Sequence, residues 1–273
     1  MATNNDTIRV RSDKGQVKTC CATLYESDMT QFLLGDSFHP GGLQLTGELG
    51  RMLGLRPASR VLDVACGKGT TAVFLAKEFG CEVFGIDYGE QNVAAARSLA
   101  QADHVDSRVQ FERGDAEDIP FADGAFDAVI CECAFCTFPD KVASAREFFR
   151  VLRRGGHVGI SDLTRERTLP AELDGLLAWI ACIGHAQTLE GYTDLLRNVG
   201  FTVDSVKQRN DALEEMVNHV RVKLLGAEIM TGLKKLQLPA LDLGAAKRMA
   251  NSAMAAVKQR QLGYALICAT KSD

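Results

Sequence analysis

Val61-Leu62-Asp63-Val64-Ala65-Cys66-Gly67-Lys68-Gly69-Thr70 reads as a strand, a turn of small residues and the start of a helix. The run at 61–64 is apolar and β-branched except for one acid, the composition of a strand covered on both faces, as parallel strands are. Gly67 and Gly69 lack a Cβ, so the chain can turn sharply and a ligand can approach the peptide groups closely. Asp63 interrupts the apolar run where a carboxylate would face that ligand. No third glycine follows at the spacing of the dinucleotide fingerprint.

Outward from this turn, Thr70 to Phe79 has a helical apolar pattern and Gly80 ends it. Glu82 to Asp87 is a second strand with Asp87 at its C-terminal end, roughly 20 positions beyond the glycines, where a carboxylate holds a ribose diol. Val109 to Glu112 is a third strand and leads into Gly114-Asp115-Ala116. Asp63, Asp87 and Asp115 therefore end three successive strands on one edge of a sheet. Asp123-Gly124 turns the chain into a fourth strand, Phe126 to Cys131. Asp140 caps a helix running to Leu152, which Gly155-Gly156 stops, and His157 to Asp162 is a fifth strand. Helices near 171–183 and 188–199, a sixth strand at Phe201–Val203 and a seventh at Gly263–Ala269 complete the pattern. The expected fold is α/β: a Rossmann-like, seven-stranded, mostly parallel sheet with helices on both faces and a helical insertion before the last strand.

The glycine turn, the three acids in this order, and the stretch from Phe126-Asp127 through Arg150-Val151-Leu152-Arg153-Arg154-Gly155-Gly156 resemble the class I S-adenosylmethionine-dependent methyltransferases. The resemblance covers residues 45–205 and the last strand. It implies S-adenosyl-L-methionine as cofactor, with Asp63, Gly67 and Gly69 at the turn and Asp87 on the ribose. It further implies Asp115 on the adenine amino group, with Ala116 or Ile119 against the ring. Cys131, closing the fourth strand, is expected beside the same cofactor.

A chain of 273 residues holds one large domain with an elaboration. Residues 1–56 are a lead with lid helices, and 57–209 with 261–273 form the core. Residues 210–260 form a helical cap within the same domain, since Val217, Val220, Leu224 and Leu225, like Ala245, Met249, Ala253 and Ala256, recur at helical spacing. A dimer-forming arm is the competing reading of that insertion. The net charge of −4 and the absence of a basic run argue against a nucleic-acid partner. Nothing approaches the roughly 18 apolar residues of a membrane span. Met1 to Lys18 lacks an apolar block, which argues against a secretory signal and for a cytoplasmic location with reduced thiols. Oligomeric state is not legible.

Nine cysteines stand at 20, 21, 66, 81, 131, 133, 136, 182 and 268. Cys66, Cys81 and Cys268 fall in or beside core elements and fit as small apolar side chains. Strand alternation puts Cys131 and Cys133 on one side and Glu132 opposite, with Cys136 in the loop beyond. Cys182 follows the fifth strand, and Cys20-Cys21 lie in the lid region, so three stretches can bring thiols to one pocket. Here the chain is similar to the arsenite methyltransferase group, which carries one cysteine just past the fourth strand and another after the fifth. Cys133 and Cys182 match these two. The third correspondence falls on the Cys20-Cys21 pair, with Cys21 the candidate, although no cysteine occurs between 22 and 65.

The resemblance implies a metalloid substrate and Cys133, Cys182 and Cys21 as catalytic thiols. Trivalent arsenic is soft and prefers thiolates, and its exposed lone pair can attack a sulfonium methyl without a strong base. Holding the two near reacting distance can lower the barrier by roughly 7–11 kcal/mol. A bound metal is not expected, because no cysteine pair is matched by a second pair or a histidine pair. The first alternative is O-, N- or C-methylation of a small organic metabolite, with His39 or His185 as base. The second is a cofactor-binding sensor without turnover, hinted at by Lys68 between the glycines.

Overall fold

The computed structural model of the chain describes residues 18, 39–170, 173, 183, 185–232 and 242–272. Cys20, Cys21 and Cys182, with nearly all of the helix expected near 171–183, lie outside the described residues. The elements in chain order are α1 (Gly42–Met52), β1 (Arg60–Val64), α2 (Thr70–Phe79), β2 (Glu82–Asp87), α3 (Glu90–Ala102), β3 (Val109–Arg113) and β4 (Phe126–Glu132). They continue with α4 (Lys141–Val151), β5 (Leu152–Arg165), α5 (Leu189–Val199), β6 (Phe201–Gln208), α6 (Asn210–Gly232), α7 (Leu243–Lys258) and β7 (Leu262–Lys271).

The strands form one sheet in the order β3-β2-β1-β4-β5-β7-β6. β1 to β5 are parallel, and β7 runs antiparallel to both its neighbours, β5 and β6. This is the Rossmann-like, mostly parallel sheet the sequence pattern implies. Burial explains the pattern. β1 is buried at every residue after Arg60, and β7, between two strands, is buried from Leu262 through Ala269. β6 lies at the sheet's end, buries Phe201 and exposes Asp204 and Lys207, charges that discourage edge pairing.

Two details differ from the sequence expectation. The helix expected to reach Leu152 ends at Val151, and Leu152 already pairs with Phe126 in the sheet. Lys271 explains the early stop. Its ammonium takes the carbonyls of Phe149 (2.6 Å) and Leu152 (2.7 Å), satisfying helix-end acceptors from a distant strand. β5 also runs on past Asp162 to Arg165, because β7 pairs with it along its whole outer stretch.

The insertion forms α6 and α7, which share a small core of Leu224, Ala246 and Ala250. Leu225, expected on the packed stripe, is instead half exposed beside Val222 and Ile229, because one residue further turns about 100° around the helix. β6 is parallel to β5, both being antiparallel to β7, so the insertion leaves from the edge at which β1 to β5 end. Its root is tied to α1, where Glu48 pairs with Arg209 and with Lys207 at 3.0 Å. Among the described residues no helix is long and apolar enough to cross a membrane.

Candidate active site

A cavity of about 160 Å³ opens where the parallel strands end. Asp63, Gly67, Asp87, Asp115, Ala116 and Cys133 all line it. Gly69 and Cys131 do not, and both expectations need correcting.

Between β1 and α2 the backbone takes left-handed φ at Ala65 (58°), Gly67 (54°) and Gly69 (84°). The two glycines serve different ends. A Cβ on Gly67 would meet nothing within 4 Å, so this peptide faces open space in the cavity wall. A Cβ on Gly69 would press on Phe111 at 2.7 Å and on the Cβ of Ala96 at 2.8 Å. Gly69 therefore starts α2 and lets it pack against α3 and β3, and its place is inside the fold rather than on the ligand.

Asp87 fastens this loop to β2. Its carboxylate accepts from the N–H of Gly67 (2.9 Å), the N–H of Gly89 (2.8 Å) and the side-chain amide of Asn92 (3.1 Å). Burial raises its titration above the ordinary carboxylate range, and these three donors pull the other way. Asp63 is worse off. It is 2% exposed, and its Oδ2 has no hydrogen-bond partner among the described residues. Burial first, then the charges of Glu132 and Asp87, push its carboxyl well above the usual range, opposed by one backbone N–H from Ala72. Asp115 sits on the open rim, where the Lys18 ammonium reaches both its oxygens (2.9 and 2.7 Å) and Glu117 (2.8 Å). Burial alone would lower Lys18, but these two carboxylates outweigh it and hold the ammonium above its ordinary value. Ala116 lines the wall, whereas Ile119 is buried away from it.

At the end of β4 the alternation argument fails. The strand stops at Glu132, and Cys133 takes a left-handed φ of 50°, with its N–H on the Ser161 carbonyl at 2.7 Å. The reversal brings Glu132 and Cys133 to the cavity together and leaves Cys131 fully buried behind them. Burial, with Asp162, Asp63 and Glu132, pushes the Cys131 thiol well above its usual range, which suits a packing residue and no contact with a ligand. Cys136 is fully buried as well.

Sequence reasoning missed Glu132. Its carboxylate accepts from three hydroxyls on three elements: Thr46 of α1 (2.9 Å), Thr71 of α2 (2.8 Å) and Ser161 of β5 (3.2 Å). Tyr264 in turn donates to Ser161 at 3.0 Å. His39 lies in the same wall, with Nδ1 3.3 Å from the Pro40 carbonyl and Nε2 3.5 Å from Glu132. Both ring nitrogens thus face acceptors, and Thr46, 3.4 Å from Nε2, already gives its proton to Glu132. His185 is not among the residues lining the cavity. The serine and threonine hydroxyls around one acid carry no sequence signal, because α1, α2, β4 and β5 meet only in the fold.

Of the other cysteines, burial pushes Cys81 up to about 11 and Cys268 up to about 12, so both are packing thiols as expected. Among the described residues no group of three or more His, Cys, Asp or Glu side chains could hold a metal ion.

A sequence profile described as a methyltransferase domain matches residues 55–219. The chain is 28% identical over 264 residues to 27-O-demethylrifamycin SV methyltransferase of Amycolatopsis mediterranei, covering 90% of this chain and 94% of that one. It is 31% identical over 178 residues to phosphoethanolamine N-methyltransferase 1 of Arabidopsis thaliana, covering 65% of this chain and 35% of that one. Among solved structures, phosphoethanolamine N-methyltransferase 2 of Haemonchus contortus with S-adenosyl-L-methionine superposes with a TM-score of 0.75 at 21% identity, covering 97% of this chain and 59% of that one. The [4+2]-cyclase SpnF has a TM-score of 0.73 at 21% identity, with 95% and 97% covered.

Proposed function

The chain belongs to the methyltransferase-domain family and is an S-adenosylmethionine-dependent methyltransferase, and on that premise we propose that its acceptor is a trivalent metalloid of the arsenite kind held by thiolates. The observation that carries this reading is Cys133, a thiol in the cavity wall on a left-handed non-glycine backbone. That conformation costs about 1–2 kcal/mol for a residue with a Cβ, and such strain gathers where function needs it.

S-adenosylmethionine supplies a methyl group on a positively charged sulfur. The wall fits it: Asp63 offers a buried oxygen lacking a partner, and the Gly67 peptide leaves open space. We assign Asp63 and Gly67 to its methionine half, Asp87 to the ribose, and Asp115 with Ala116 to the adenine. Cys133 is the first acceptor thiolate, and Cys182 and Cys21 complete the set. We assign α1 and the α6–α7 pair to the acceptor side; the tie between Glu48 and the root of the insertion supports this. A lone pair on arsenic needs no base.

A second reading, O-methylation of a small organic acceptor, is favoured by the name of the relative matched over nearly its whole length. Methylation assays with arsenite, methylarsenite, phenols and amines separate the two. Arsenite-dependent formation of S-adenosylhomocysteine that Cys133→Ser abolishes, with donor binding intact, supports the first. Full activity of Cys133→Ser on an organic acceptor establishes the second.

A further inference from the structure

Four carboxylates stand in file along the open edge of the sheet. The strand order β3-β2-β1-β4 sets Asp115 beyond β3, Asp87 at the end of β2, Asp63 within β1 and Glu132 at the end of β4. All four line one cavity. The methyl donor has its own linear order: base, ribose, sulfonium, amino acid. With adenine at Asp115 and ribose at Asp87, the reading on which this inference rests, the cationic half comes against the last two acids. We infer that Asp63 and Glu132 form a cation seat, and that Glu132 is the residue that makes the pocket prefer the sulfonium donor over its uncharged thioether product.

The two acids are built for this differently. Asp63 is nearly inaccessible, its Oδ2 has no hydrogen-bond partner, and among the described residues no cation pairs with it. A buried acceptor left this way is costly unless a ligand completes it. Glu132 has a side chain only 4% exposed and is held by Thr46, Thr71 and Ser161, donors that fix its direction without neutralising it. Among the described residues its one ion-pair partner is His39, charged only when protonated and at a loose 3.5 Å. Charge acts over distance in a site of low dielectric, and the Glu132 charge, after burial, makes the ionised form of Asp63 harder to keep. A sulfonium relieves that repulsion, and a thioether does not. After transfer the product would therefore be held less tightly than the donor, which favours turnover.

The test compares three ligands by calorimetry on the full chain: S-adenosylmethionine, S-adenosylhomocysteine, and methylthioadenosine, which lacks the amino-acid end. Glu132→Gln keeps the size of the side chain and removes its charge. It should weaken the donor at least about tenfold more than the product, a modest share of what two charges a few ångströms apart exchange at a protein surface. Methylthioadenosine binding should not change. Glu132→Asp, which keeps the charge, should restore most of the preference. Equal losses for donor and product would overturn the inference and leave Glu132 a purely structural hub. If Glu132→Gln does not fold, Asp63→Asn tests the seat itself: it should weaken the donor about tenfold more than the product, and equal losses would overturn the cation seat on which the role of Glu132 depends. Asp87→Asn tests the underlying placement on its own. It should weaken all three ligands, and unchanged methylthioadenosine binding would sink the ribose assignment while the donor-to-product ratio still decides Glu132.

Discussion

Asp63→Asn should make the protein more stable and a worse binder of its cofactor. The wild-type carboxylate is buried beside Glu132 and Asp87, holds a single backbone hydrogen bond, and keeps Oδ2 without one. An acid whose folded titration is raised contributes stability that is complete below its unfolded value, near 4, and is lost as pH rises through the folded value. Asparagine imitates the neutral acid at every pH, and its amide can turn a donor toward the Glu132 and Asp87 acceptors. The variant's advantage should therefore be small near pH 4 and grow as pH rises. Its size should be about 1–3 kcal/mol, the cost of one unsatisfied buried group. Each kcal/mol moves Tm by roughly 2–4 °C in a domain of this order of size. Thermal melts of both proteins from about pH 4 to pH 8, with and without S-adenosylmethionine, measure this, the upper end lying where an ordinary aspartate is fully ionised. The ligand should raise Tm less in the variant, because the cation no longer has that buried charge to offset. A variant that melts below the wild type at neutral pH, or whose difference does not vary with pH, would refute the reasoning.

The two glycines of the loop should separate by assay. Gly69→Ala should lower stability by about 1–3 kcal/mol, because its methyl would overlap Phe111 and Ala96. Gly67→Ala should cost only about 1 kcal/mol of backbone strain, yet lose cofactor affinity in titration calorimetry by filling the open wall. Asp87→Ala strips acceptors from Gly67, Gly89 and Asn92, so both denaturant stability and cofactor affinity should fall, at about 1.5–3 kcal/mol per charged hydrogen bond before relief of the buried charge. Lys18→Ala should tighten adenosyl ligands, by up to about fivefold for a partly buried ion pair worth ~1 kcal/mol, since it frees Asp115 for the adenine amino group. Weaker binding in that variant would instead make Lys18 part of the adenine wall.

The sheet was legible because its signals are local. Apolar runs such as Val61-Leu62 and Val129-Ile130, glycine at positive φ, and acids after strands each speak within a few residues. Asp63, Gly67, Asp87, Asp115 and Ala116, singled out by such local signals, all line the cavity. The errors came where distant groups decide. Alternation was carried one residue too far at Cys133, because the Ser161 carbonyl that captures its N–H belongs to β5. Leu152 was assigned to the helix because the Lys271 ammonium that closes the helix lies at the other end of the chain. The glycine spacing suggests a ligand contact at Gly69, whereas its constraint is the close packing of α2 against α3.

The site also shows why one sheet order serves it. β1 and β4 are sequence-distant but paired, with Asp63 opposite Ile130. Glu132 lies two residues beyond that partner, which carries it roughly 6–7 Å further toward the open edge. From β1 the chain winds outward to β2 and β3 and then returns across to β4, so the switch in direction falls between the strands that hold Asp63 and Glu132. At such a point the connections part and leave a crevice. The crevice separates the two unusual backbone positions of the wall, Ala65 after β1 and Cys133 after β4. In this wall the left-handed non-glycine positions are thus residues that turn away from the sheet toward the cavity, while β1 behind them stays buried. Cys133 itself is held in that wall by the sheet, through its N–H on the Ser161 carbonyl of β5.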